Sequence, residues 1–391
     1  MPKDRVVRTT TRQKPGFLEK LGSNFAGSFA GFALFLLSFY VLYSNESRSV
    51  ETVAVLEEVL DLATPIHSAQ DIGRTDGQLV HVSGPLDARL LGDPKYPVAL
   101  PCVKLSRHVE MFQWVEHSEV KEYEERNQIK KETTYTYGTE WSHIVHKSRD
   151  FAEEFGHENP KEMPVSNYHQ TASEVSVNGL KLSKTAIGKI NWSTDLLSLP
   201  EPLETMDIEL HEKYYYHARD PYSPDVGDAR VFFTYVGIAG ETKVGLRDEV
   251  TVIAKNSNGR LVTHYIRSTG VEILHRGSKS PKEVIESEKS SNAALTWGSR
   301  FLGWVMMYLG LSIMTKIIKT LVGWIPVLGT IISASVTMFN ITLSLSLALT
   351  TIAIGWLRAR PLLSGTIAVM SVVPWIISRM RAQSMVVLKN R

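Results

Sequence analysis

The chain has one cysteine, Cys102, among its 391 residues, so no disulfide can staple any part of it. Every folded domain must therefore depend on an ordinary apolar core. Acidic residues are missing altogether from residues 297–391, where nine basic residues stand. Missing too are the P-loop, the dinucleotide fingerprint, the nucleophile elbow, the HExxH helix and the calcium loop, which argues against the common enzyme classes. No catalytic, metal or cofactor-binding residues are assigned, and the reading is of a non-enzymatic protein.

The formal charge of +2 hides a division along the chain. Residues 1–44 hold six basic and two acidic residues, whereas residues 45–296 hold 28 basic and 39 acidic ones. Acid-free apolar sequence flanked by Lys and Arg is the pattern of membrane spans, because insertion retains basic flanks on the cytosolic side. The acidic middle must be soluble, and about 250 residues suffice for a core.

Phe25–Tyr43 gives 19 uncharged residues, near the roughly 20 that a helix needs to cross about 30 Å of hydrocarbon. Tyr40, Tyr43 and Asn45 stand where a signal peptide would have its small-residue cleavage site, so the segment reads as an uncleaved anchor. A second span is expected over 297–314, a cytosolic or interfacial connector over 315–330, a third span over 331–357, a lumenal turn at 358–361 and a short fourth span over 362–377. A re-entrant segment at Trp324–Leu328 is the alternative to an interfacial connector. With four spans, the basic tails 1–24 and 378–391 are both cytosolic, and 44–296 lies across the membrane.

The fold class expected is thus a multi-pass α-helical membrane protein of four spans, with a large β-rich α+β lumenal domain between spans one and two. Val50, Val53, Leu56 and Leu60 predict a short amphipathic helix ended by Thr64-Pro65. The period then becomes 2: Arg107, Val109, Met111, Gln113 and Val115 share one face, and His108, Glu110, Phe112, Trp114 and Glu116 the other. A charged reversal over Ser118–Lys131 separates this strand from Thr133–Trp141, making a long hairpin in which Tyr135, Tyr137 and Trp141 can meet Phe112 and Trp114. Ala229–Val236, Glu249–Lys255, Arg260–Ile266 and Val271–Leu274 read as strands, with a turn at Asn258-Gly259.

The best metal grouping is His143, His146 and His157, but its spacing falls outside the usual zinc patterns, and histidines on a strand end or loop are the plainer reading. His108 and Glu110 on one strand face are what a half-solvated strand shows. Asn45-Glu-Ser47 and Asn191-Trp-Ser193 match the glycan acceptor pattern. Within the spans, Gly27 and Gly31 form G-x-x-x-G, and Ser333, Thr337, Asn340 and Ser344 make one helical stripe. Small residues allow close helix approach and polar ones find partners across helix contacts, so packing is preferred to a pore lining.

A set of short motifs carries a resemblance: Pro15-Gly-Phe-Leu-Glu19, Leu37-Ser-Phe-Tyr40, Asn45-Glu46, Leu79-Val-His81, Arg107-His-Val-Glu-Met111, Gln113-Trp-Val-Glu116, Lys130-Lys-Glu-Thr133, Thr139-Glu-Trp141, Gly156-His157, Asn159-Pro160, Val226-Gly-Asp228 and Thr296-Trp-Gly298. In this order they resemble the LUMA (transmembrane protein 43) family of four-span proteins. The resemblance implies residence in the endoplasmic reticulum and inner nuclear membrane, homo-oligomers, and association with emerin and lamins. It implies a role in organising nuclear-envelope complexes and supplies no catalytic residues. The expected function is a membrane scaffold contacting lipids and protein partners, not nucleic acid. A channel or channel-regulating subunit comes second and a lumenal metal-dependent enzyme third.

Overall fold

The computed structural model describes residues 5–126, 128–204, 208–322 and 328–356, with residues 366, 369, 370 and 373. Most of the expected fourth span, the C-terminal tail and most of the re-entrant candidate lie outside them. The chain divides into two compact units, one of Met1–Lys14 with Leu62–Pro281, the other of Pro15–Asp61 with Lys282–Arg391.

The first unit is β-rich. Among the described residues it holds a nine-stranded and a seven-stranded sheet. The strand Ala99–Glu125 is the spine of the larger sheet, pairing antiparallel with Ala229–Ile238 and with Gln128–Ser142. Its period-2 pattern decides which side is buried: Leu105, Arg107, Val109, Met111, Gln113 and Val115 are buried, and the residues between them only partly so. Two polar groups on the buried side are satisfied there. Arg107 pairs with Asp93 at 2.7 Å, and Gln113 donates to the Ile144 carbonyl at 2.7 Å. The core joins Leu105 and Val109 to Val80, Val82, Val250 and Val252 of the seven-stranded sheet, whose strands Leu79–Ala88 and Glu249–Ser257 pair antiparallel.

The hairpin is longer than its charge pattern predicts. Both strands continue through the expected reversal, to Glu125 on one side and from Gln128 on the other. Backbone pairing tolerates charged side chains wherever both faces meet water, so charge alone does not end a strand. Phe112 and Trp141 are cross-strand partners with ring centroids 5.4 Å apart. Tyr135 and Tyr137 sit opposite Ser118 and Glu116 instead of an aromatic residue. The turn at Asn258-Gly259 takes the expected positive φ at both residues, 51° and 75°.

The N-terminal segment departs most from expectation. Arg5–Gln13, read as part of a cytosolic tail, is a strand of this sheet, in register with Gln128–Thr136 over nine residues. Its sequence, Val6-Val7 followed by Thr9-Thr10-Thr11, favours an extended backbone because β-branched side chains fit a pleated surface.

The second unit holds the long apolar helices. Phe17–Leu62 is one helix of 46 residues, so the expected span and the amphipathic helix after it are continuous. At 1.5 Å per residue it measures about 69 Å, more than twice the hydrocarbon thickness. Pro281–Met314 begins well before the expected second span, and Leu328–Trp356 contains most of the third. Three helices are long and apolar enough to cross a membrane among the described residues. Leu42, Met307, Ala348 and Ile352 form their shared core.

Candidate functional site

The most distinctive chemistry of the helical unit is a buried ion pair. Glu46 is fully buried, and Arg300 approaches it with two donors, Nε to Oε1 and a terminal nitrogen to Oε2, both at 2.7 Å. This is a bidentate, charge-assisted pairing. The Trp356 indole nitrogen donates to Glu46 Oε2 as well, and the guanidinium lies 4.7 Å from the Trp297 ring and 5.3 Å from the Trp356 ring. One carboxylate therefore ties together all three long helices.

A polar seam continues from it. Asn45 donates to the Thr296 carbonyl at 3.2 Å and accepts from Arg48 at 3.0 Å, while Arg48 also donates to Asn292 at 2.9 Å. Beside the seam is a cavity of about 350 Å³ lined by Val50, Val53, Asn292, Trp297, Arg300 and Trp356 among others. Sequence reasoning took Asn45-Glu46 as a family motif and counted Arg300 only among the nine basic residues of 297–391. Their joining was not legible, because 254 residues separate the partners. The acid-free character of residues 297–391 was the available signal: an Arg inside an apolar helix needs a carboxylate from elsewhere in the chain.

The helix-packing residues are largely used within the chain. A Cβ on Gly31 would lie 2.9 Å from the Gly310 carbonyl oxygen, and one on Gly310 would lie 2.8 Å from the Gly31 oxygen, so the two backbones meet there. Gly27 has no such approach; its nearest neighbour is an Ile313 methyl at 4.0 Å. Gly303 and Gly355 extend the close contact, fitting against Leu42 and Glu46. On the third helix, Asn340 donates to Thr315 at 2.7 Å, Thr337 accepts from Lys319 at 2.8 Å and donates to the Ser333 carbonyl, and Ser344 is fully buried.

The other candidates are dispersed. His157 is buried, stacked on Tyr137 at 4.0 Å and edge-on to Trp114 at 4.8 Å, His146 contacts Ser142 at 3.1 Å, and His143 is exposed. Among the described residues no group of three His, Cys, Asp or Glu is placed to hold a metal ion. His108 bonds Thr234 at 2.8 Å and Glu110 accepts from Arg230 at 2.6 Å, so the two do not form an acid–base couple. Of the glycan candidates, Asn191 is exposed, but Asn45 is buried with its amide engaged and is not an acceptor in the folded chain.

A family described as Transmembrane protein 43 matches residues 111–361. The chain is 41% identical to Transmembrane protein 43 of Mus musculus and of Homo sapiens over 381 residues, covering 96% of this chain and 95% of each relative. The Transmembrane protein 43 homolog of Drosophila melanogaster is 32% identical over 370 residues, or 92% of this chain and 95% of that one. No solved structure matches the chain. With long apolar helices, a β-rich unit between the first two of them, and this likeness over nearly its whole length, the chain is a membrane protein that belongs to the transmembrane protein 43 family, the one that its short motifs resemble.

Proposed function

We propose that this protein is a non-enzymatic membrane scaffold of the endoplasmic reticulum and inner nuclear membrane, which self-associates and organises nuclear-envelope protein complexes. Four spans, cytosolic termini and a lumenal β unit belong to the same reading, as do emerin and lamins as partners on the strength of the family resemblance. The observation that carries it is the internal use of polar and small span residues. Glu46 meets Arg300, Gly31 meets Gly310 and Asn340 meets Thr315, all within one chain. A helical unit closed in this way is a stiff anchor, and the apolar side chains it leaves outward, among them Phe25, Phe29, Phe32 and Phe301, suit lipid or a neighbouring copy.

The stripe that would line a channel is hydrogen-bonded to the chain's own helices, which weighs against conduction. Crosslinking of tagged and untagged full-length chains in native membranes tests the scaffold reading. Mixed oligomers and co-isolation of emerin are expected; recovery of monomer alone, without nuclear-envelope proteins, would overturn it.

A further inference from the structure

Three Asn-x-Ser/Thr triplets stand in the chain: Asn45-Glu-Ser47, Asn191-Trp-Ser193 and Asn340-Ile-Thr342. A glycan acceptor must enter the lumen, and the folded surface must then have room for a bulky, hydrated group. The second condition separates the three. Asn340 is fully buried on the third long helix and donates to Thr315 at 2.7 Å. Asn45 is buried on the first, with its amide on the Thr296 carbonyl, and stands two residues beyond Tyr43. Either would have to give up its helix contacts to hold a sugar.

Asn191 is differently placed. The short helix Lys184–Lys189 ends at Ile190, whose side chain is fully buried in the core and whose carbonyl accepts from Lys104 at 2.6 Å. From there the chain enters the strand Ser193–Asp195, and its side chains alternate. Asn191 is exposed, Trp192 packs half-buried against the core with Arg276 at 5.5 Å from its ring, and Ser193 is exposed again. The bulky central residue of the triplet is thus turned inward, while the acceptor amide and the hydroxyl both belong to residues at the surface. Among the described residues Ser193–Asp195 pairs only with Thr234–Val236, which leaves its other edge open. A bulky polar group beside an open edge hinders the addition of a further strand.

Resting on the lumenal placement proposed above, we propose that Asn191 carries an N-linked glycan. The donor class is an oligosaccharide joined through a diphosphate to a polyprenyl lipid, and a lumenal transferase catalyses the step. Asn191 Nδ2 forms a bond to the anomeric carbon of the first sugar, and the bond from that carbon to the diphosphate oxygen breaks. The lipid diphosphate leaves with the electron pair, and one Nδ2 proton passes to a base of the transferase. Chain order makes the triplet available for this step. Ala229–Ile238, the strand that Ser193–Asp195 joins, follows it in the sequence, so the triplet enters the lumen before it has a sheet to pair with. Folding then turns Trp192 inward and leaves the modified amide outside.

The test is expression of the full-length chain in animal cells, with gel mobility compared before and after treatment with a peptide N-glycosidase. A single downward step is expected, absent in Asn191→Gln and in Ser193→Ala and kept in Ser193→Thr. Peptide mass spectrometry after the treatment should find Asn191 converted to aspartate. No step in the unsubstituted chain, or a step that survives Asn191→Gln, overturns the site. Arg260→Thr completes another acceptor triplet at Asn258, which is exposed in a turn of the same unit, and so reports the topology separately. A chain with that change that is glycosylated at Asn258 and bare at Asn191 keeps the lumenal reading and overturns the Asn191 site. A chain bare at both positions overturns the two together.

Discussion

At the scale of single residues, Glu46 and Arg300 are expected to matter far more to stability than their position at span ends implies. Removing one member of a buried pair strands the other, at a cost of about 3–5 kcal/mol, whereas replacing both with apolar groups is close to neutral. Glu46→Gln or Arg300→Met should therefore lower the detergent melting temperature sharply, and Glu46→Leu combined with Arg300→Met should restore much of it. His81 and His108 of the β unit set a pH dependence. Burial pushes both imidazoles below their ordinary value of 6.5. The unfolded chain then binds more protons in mild acid, so their contribution is complete above about pH 6.5 and is lost as pH falls through the lowered native values. Melting of the full-length chain across this range should show a falling midpoint, less steep in His81→Gln.

At the scale of elements, two glycines in one G-x-x-x-G have different roles. Gly31→Ala would force a methyl against the Gly310 carbonyl, and overpacking of this kind costs about 1–3 kcal/mol; Gly27→Ala meets only ordinary contact and should be silent. Fluorescence-detected size exclusion after heating separates the two outcomes. The same element scale shows why the hairpin was half legible. Its alternation from Leu105 to Val115 sorted the residues into two faces correctly, because the period of a strand is a local property, while the structure shows that the face with Arg107 and Gln113 is the buried one. Its length was not legible, since beyond Glu116 both faces meet water and no alternation is needed.

At the scale of the whole molecule, the prediction is topological. Sealed microsomes bearing tags at both termini should lose both tags to protease while residues 62–281 stay protected. Survival of the N-terminal tag would mean that Arg5–Gln13 keeps its place beside Gln128–Thr136 and that Phe25–Tyr43 does not cross once. That outcome would also reopen the count of spans at the C-terminal end.

What the sequence determined by itself was the division of labour: apolar, acid-free stretches for the membrane, an acidic period-2 middle for a β unit, one cysteine and so no staples. Each follows from composition or from a period of a few residues, which neighbours along the chain suffice to express. Only the tertiary structure decided which groups meet. Glu46 finds Arg300, Gly31 finds Gly310, and the N-terminal strand Arg5–Gln13 finds Gln128–Thr136, more than a hundred residues away. Such pairings depend on complementary charge, shape and register brought together from distant positions, and no local pattern encodes the distance between them.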